Sequence, residues 1–145
     1  MAVQIAPVDW QLQQRQLLGV RIAVFVDEQG VPAELEHDRH DARAIHLLAT
    51  VDDGTPVATA RLLPDGHIGR MAVLKNWRGQ GIGTAMLRAL IGIARQKGQD
   101  SVFLHAQCRA EGFYARMGFR GEGDVFDDAG IEHRRMILPL TQDTD

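Results

Sequence analysis

The chemistry easiest to name lies in Met71-Ala72-Val73-Leu74-Lys75-Asn76-Trp77-Arg78-Gly79-Gln80-Gly81-Ile82-Gly83-Thr84. An apolar, strand-like run enters a glycine-rich turn, and the turn opens a long stretch with helical periodicity. Such a turn presents backbone N–H groups at the positive end of a helix dipole, where phosphate is the natural guest. Gly81 and Gly83 let an anion reach the main chain with no Cβ in the way. Two common nucleotide motifs do not fit. A P-loop needs Gly-x4-Gly-Lys-Ser/Thr, whereas Thr84-Ala85 follow Gly83. A dinucleotide fold asks for Gly-x-Gly-x-x-Gly and an acid at the end of the next strand. Here Gly79, Gly81 and Gly83 are evenly spaced by two, and the next strand ends in Ala106-Gln107.

The charge distribution points the same way. Between Gly66 and Gln99 lie Arg70, Lys75, Arg78, Arg88, Arg95 and Lys97 with no acid, +6 inside a chain of net charge 16 − 19 = −3. That face suits a polyanion. Between Asp27 and Asp41 the balance reverses, with Asp27, Glu28, Glu34, Glu36, Asp38 and Asp41 against Arg39 alone. A run of this kind is a solvated face or a surface that greets a cationic partner.

The elements that must position these residues follow from the patterning. Met1–Val8 alternates weakly, as a first strand does, and Asp9 can cap a helix. Leu17, Val20 and Val24, with Leu18, Ile22 and Phe25, give an apolar helical face up to about Val26, stopped by Gly30-Val31-Pro32. Three strand-like runs follow, Ala44–Val51, Pro56–Leu63 and His67–Leu74, joined by Asp52-Asp53-Gly54-Thr55 and Pro64-Asp65-Gly66. A helix is expected from Gly81 to Lys97 with Ile82, Met86, Ala89, Leu90, Ile93 and Ala94 on one face. Ser101–Ala106 reads as a buried strand and Ala110–Met117 as a short helix closed by Gly118. Gly121–Phe126 and His133–Leu138 read as a hairpin around Asp127-Asp128-Ala129-Gly130. The sum is an antiparallel meander, one strand-helix-strand crossover and a final hairpin.

The length, 145 residues, fits one domain, placed at 1–140 with a loose tail at 141–145. A sequence pI of about 6.0 argues against general nucleic-acid binding. The longest apolar runs fall well short of the roughly 18 residues of a membrane span, so no membrane partner is expected. Met1–Trp10 has no signal-peptide pattern, and the one cysteine, Cys108, can form no intramolecular disulfide. A cytoplasmic, soluble chain is the expectation.

With these residues in view, Arg78-x-x-Gly81-x-Gly83, preceded by Met71-Ala72-Val73, resembles the acetyl-coenzyme-A-binding motif of the GNAT N-acetyltransferase superfamily. Phe113-Tyr114-Ala115-Arg116-Met117-Gly118-Phe119 resembles its second motif. Val24-Phe25-Val26-Asp27-Glu28-Gln29 and Gly130-Ile131-Glu132-His133 are similar to the ElaA-like branch. The resemblance implies an α/β (α+β) fold, a mixed and largely antiparallel sheet flanked by helices. It implies transfer of an acetyl group from acetyl-CoA to a primary amine of a small molecule or peptide, directly within a ternary complex and without a metal. Rival readings are an acyltransferase like the acyl-homoserine-lactone synthases and a CoA-binding sensor without turnover.

Carried over by position, Met71, Ala72 and Val73 pair with the pantetheine arm, and a backbone N–H near Val73 polarises the thioester carbonyl. The amides of Arg78, Gly79, Gln80, Gly81, Ile82, Gly83 and Thr84 hold the pyrophosphate. Tyr114, the one tyrosine of the chain, matches the residue that protonates the leaving thiolate. A phenol with a reference pKa of about 10 is protonated at neutral pH and can do so. His67 falls where some relatives carry a glutamate base; Glu28 and Glu36 are alternatives, and Arg70 could meet an acceptor carboxylate or phosphate. The acidic run would favour a cationic acceptor, and a homodimer is common among such proteins. His37, Asp38, His40, Asp41 and His46 could ligate metal but follow no zinc spacing. Cys108 reads as a buried strand-end residue with no acyl-carrying role.

Overall fold

Asp9 caps the first helix as its side chain predicts: Oδ1 accepts from the N–H groups of Gln11 and Leu12 at 2.8 and 3.1 Å. In the computed structural model, which describes residues 2–32 and 39–140, strand β1 (Val3–Val8) leads into this helix, α1 (Trp10–Arg21). The helix widens into a π-helical segment, Ile22–Glu28, and ends before Gly30. Strands β2 (Ile45–Val51), β3 (Thr55–Leu62) and β4 (His67–Val73) form the expected meander. Helix α2 (Ile82–Gln96) crosses to β5 (Ser101–Gln107), followed by α3 (Glu111–Arg116) and the hairpin of β6 (Arg120–Asp128) and β7 (Ile131–Pro139).

The seven strands make one sheet in the order β1-β2-β3-β4-β5-β7-β6. Every neighbouring pair is antiparallel except β4 and β5, which α2 joins. Gly66 makes the β3–β4 turn possible. Its φ is +92°, and a Cβ there would lie 2.7 Å from the Ser101 carbonyl oxygen at the start of β5.

Helices cover both faces. Ile82, Met86, Leu87, Leu90, Ile91 and Ala94 of α2 pack on Leu47, Val57, Ile68, Val102 and Leu104. Leu87 and Ile91 are buried more deeply than the expected Ala89 and Ile93, because the buried stripe is wider than the one predicted. On the other face, Val20 and Val24 of the first helix meet Ala72 of β4.

The interior also holds a charge cluster that corrects the reading of the acidic run. Asp41, fully buried, takes a bidentate bond from Arg21 at 3.0 and 3.1 Å and a third from Arg61 at 2.9 Å. Its backbone carbonyl lies 2.8 Å from His46 Nε2, and the His46 ring stacks on Trp10 at 4.9 Å. Asp41 thus faces no incoming cation; it ties α1, β2 and β3 together. His46 belongs to this cluster.

Burial pushes the Asp41 carboxyl up, but the bonds and charges of Arg21 and then Arg61 outweigh it and hold it below the usual carboxylate range. A group depressed in the folded state contributes stability above its unfolded pKa, and that contribution is lost as pH falls through the folded one. Asp41→Asn removes the buried carboxylate that both arginines bond, so urea unfolding at neutral pH is expected to show a loss of about 3–5 kcal/mol. The gap between parent and variant closes as the pH is lowered through the carboxylate range.

Candidate functional site

The parallel pairing of β4 with β5 is confined to His67 with Phe103 and Ile68 with Leu104. Beyond it the strands part. The cause lies in β4, where the register against β3 shifts between Thr59 opposite Ala72 and Arg61 opposite Gly69. Arg70 occupies this bulge with φ +49°, and its carbonyl accepts a bond from Thr59 Oγ1 at 3.1 Å. The V-shaped gap between the strands opens a cleft of about 800 Å³, which also reaches the end of the first helix, α3 and the β6–β7 turn.

Met71, Ala72 and Val73 form one wall of the cleft. Met71 and Val73 lean toward the α2 side, while Ala72 points into the small cluster under the first helix. Arg78 and Gly83 also line the cleft. Gly79, Gln80 and Gly81 form the exposed turn above it, and Thr84 lies in the first turn of α2. Ile82 is 5% exposed and anchors that turn in the core. Gly81 is the N-cap of α2 with φ +84°, and no side chain caps the helix. Among the described residues the first-turn N–H groups therefore have no side-chain acceptor, as an anion site requires. A Cβ on Gly81 would meet nothing within 4 Å. The backbone conformation, more than crowding, is what asks for glycine here.

Arg78 is already engaged. Its Nε donates to the Val73 carbonyl at 2.9 Å, and both terminal nitrogens donate to Glu28 at 2.6 Å. Beside it, Gln107 Nε2 at the end of β5 donates to Gln29 Oε1 at 2.9 Å. The end of the first helix is thereby strapped to both sides of the gap. The acidic and basic runs do meet, but within the molecule, so Glu28 joins Asp41 outside the argument for a cationic acceptor. Bonding to Arg78 holds the Glu28 carboxyl low despite partial desolvation, which disfavours it as a base in this state. Glu34, Glu36, His37 and Asp38 lie outside the described residues.

Tyr114 lines the cleft from α3, its ring packed edge-on against Phe113 and Phe119 at 5.0 and 6.0 Å. Burial pushes its phenol up to about 12. His67 sits at the closed end of the gap, stacked on Phe103 at 4.7 Å with an interplanar angle of 10°. Burial first, then the neighbouring His105, brings its ring down to about 4. Arg70 lines the cleft at the bulge. Cys108 is half-exposed just past β5, not buried, and desolvation with the adjacent Glu111 raises its thiol, which weakens it as a nucleophile. Among the described residues no group of three or more His, Cys, Asp and Glu could hold a metal ion.

Sequence reasoning passed over the Gln29–Gln107 bridge and the imidazoles of His105 and His133 on the cleft wall. The period-two pattern of Phe103, His105 and Gln107 was the available signal, since it places them on one face of β5.

With this geometry in hand, comparison with known proteins is consistent. The GNAT acetyltransferase domain family matches residues 11–140. A Bacillus subtilis protein described as the uncharacterized N-acetyltransferase YjcF is 38% identical over 122 residues, 81% of this chain and 86% of that protein. The crystal structure of an acyl-CoA N-acyltransferase from Pseudomonas aeruginosa superposes with a TM-score of 0.84 and 30% identity, covering 94% of this chain and 99% of that one. Escherichia coli ElaA gives 0.84 and 27%, with the same coverage.

A depressed histidine pKa means that the folded state refuses a proton which the unfolded chain accepts below about pH 6.5. In an NMR titration the His67 ring is expected to stay neutral from pH 8 to about pH 5, with its midpoint near 4. Its contribution to stability is full above the unfolded value and erodes as pH falls from about 6.5 toward 4. A midpoint near 6.5 would place the ring in solvent and remove it from the cleft wall.

Proposed function

Since the chain belongs to the GNAT acetyltransferase family, in its ElaA-like branch, and acyl transfer is that family's activity, we propose that it moves an acetyl group from acetyl-CoA to a primary amine. One observation carries this reading: a single cleft brings together the part of β4 that has parted from β5, the start of α2 and Tyr114.

Each wall of the cleft then has a task. The amides of Arg78–Thr84, at the positive end of a 15-residue helix, receive the pyrophosphate. Past Ile68, β4 is paired with no strand on the β5 side among the described residues, so that edge can take the pantetheine arm as an added strand. An N–H near Val73 aimed at the thioester carbonyl stabilises the charge that develops there. Direct transfer follows from holding amine and thioester together in one cleft.

The shifted groups refine the remaining roles. A phenol near 12 is a weaker acid than a thiol of about 8.5. Tyr114 therefore works by donating a hydrogen bond to sulfur as charge builds there. Its proton passes over as one from the amine replaces it. The His67 ring, neutral at pH 7, accepts a hydrogen bond from the acceptor but is too weak a base to store an ammonium proton. With Glu28 and Asp41 paired internally, a preference for cationic acceptors rests on Asp27 and the acids of residues 34–38.

Two variants test the two halves of this reading. Gly81→Asp puts a carboxylate and a strained backbone at the helix start. Calorimetry is expected to show CoA affinity falling at least about tenfold, or about 1.4 kcal/mol. Unchanged affinity in the folded variant would remove the turn from the binding site. Tyr114→Phe removes one hydroxyl, so acetyl-CoA affinity should hold within about twofold while turnover falls roughly 100-fold. A normal rate would mean that water protonates the thiolate.

A further inference from the structure

His133 takes no part in the roles above, although it lines the same cleft as Tyr114. Its Nδ1 lies 2.7 Å from the Ile131 carbonyl oxygen. A carbonyl only accepts, so Nδ1 carries the hydrogen and the neutral ring keeps its lone pair on Nε2. Among the described residues Nε2 has no hydrogen-bond partner, and it is not sealed from the cleft. The ring is also held in place. It stacks on Phe126, its direct cross-strand neighbour, at 5.9 Å and 24°. This is a fixed imidazole with a defined tautomer and an unused acceptor atom.

Its place in the sheet matters as much. On its other side His133 pairs with Gln107, three residues past the last contact between β4 and β5, and so stands at the rim of the gap. Met136 points into the core under α2 and α3, and alternation along β7 puts His133 on the opposite face. Tyr114 reaches the cleft from α3, on the Met136 side. An acyl group in the gap would thus have a proton acceptor on one face of the sheet and a proton donor on the other. The titratable and charged residues that share the cleft wall with it include His105 on β5, Asp128 on β6 and Arg109 just past β5, and Arg135 lies two residues on along the same face of β7.

We propose that His133 is the general base of the transfer, taking the acceptor's proton on Nε2. The inference rests on the acetyl-transfer reading above. The ammonium gives up two protons. The first goes to His133 and on to water, freeing the nitrogen lone pair to form the C–N bond. The C–S bond then breaks with its electron pair on sulfur. The second proton, released as the amide forms, replaces the one that Tyr114 delivers to the thiolate. Amide, CoA thiol and one proton in solution balance the starting ammonium and thioester.

The test compares two acceptors of similar shape and different basicity: benzylamine, an ammonium ion at pH 7, and O-benzylhydroxylamine, neutral at that pH. His133→Asn keeps an N–H where Nδ1 bonds the Ile131 carbonyl and removes only the basic nitrogen. Thiol release is expected to fall about 100-fold in kcat/KM with benzylamine and by less than about threefold with O-benzylhydroxylamine. CoA affinity by calorimetry should stay within about twofold. His133→Gln, should the first variant fold poorly, is expected to show the same split. Equal losses with both amines would make the residue structural, and no loss would overturn the proposal. So would ¹⁵N spectra of the parent showing the hydrogen on Nε2. A parent protein that binds no CoA or releases no thiol would instead sink the transfer reading, and a parent that turns over while both variants match it sinks this inference alone.

Discussion

The site exists because one strand pairing is cut short. Parallel strands β4 and β5 hold each other for two residue pairs and then separate at the bulge around Arg70. A bulge bends its strand and sharpens the local twist. Here it leaves the backbone groups of Met71–Val73 without a partner strand on the β5 side. The same pairing dictates the helix beside the gap. Two adjacent parallel strands need a crossover, and α2 supplies it. The crossover starts where β4 ends, so the positive end of α2 is delivered to the mouth of the gap. The strand edge that parts from β5 and the helix start beside it are two results of one topological fact.

Electrostatics divides into two parts with different weights. The Arg21–Asp41–Arg61 cluster is buried and ties α1 to the meander, so breaking it is costly. The Arg78–Glu28 pair is 40% and 36% exposed at its side chains. Pairs of that kind contribute about 0–1 kcal/mol. A cheap contact suits a strap across a binding cleft, since an incoming anion can exchange with it at little cost.

Much of the fold was legible because local chemistry and periodicity agreed. Asp9, Asp53-Gly54 and Asp65-Gly66 marked ends and turns, and apolar runs between such turns located the strands. The turn at Arg78–Thr84 was legible because helix starts and glycines carry their own signature. What escaped were pairings between residues far apart in the chain. Nothing local tells Asp41 that Arg21 and Arg61 will enclose it, so the acid read as surface. Nothing in the Glu28 neighbourhood names Arg78, fifty residues on. His67 opens a strand beside a turn, and only the stacking of its ring on Phe103, 36 residues on, half-buries it. His133 is the clearest case. Its sequence neighbours describe a hairpin, whereas its tautomer and its position at the rim depend on the register of three strands.

A sheet that splits in its middle carries two interior edges, and an edge with free backbone groups is a template for any extended peptide, including another copy of the same chain. Natural sheets guard outer edges with charge, bulges or cover. This one guards an inner edge by the same means: a bulge at Arg70, a guanidinium on the Val73 carbonyl and the end of the first helix strapped across the opening. The contacts that tie the first helix to both strands therefore also cover backbone that another extended chain could pair with.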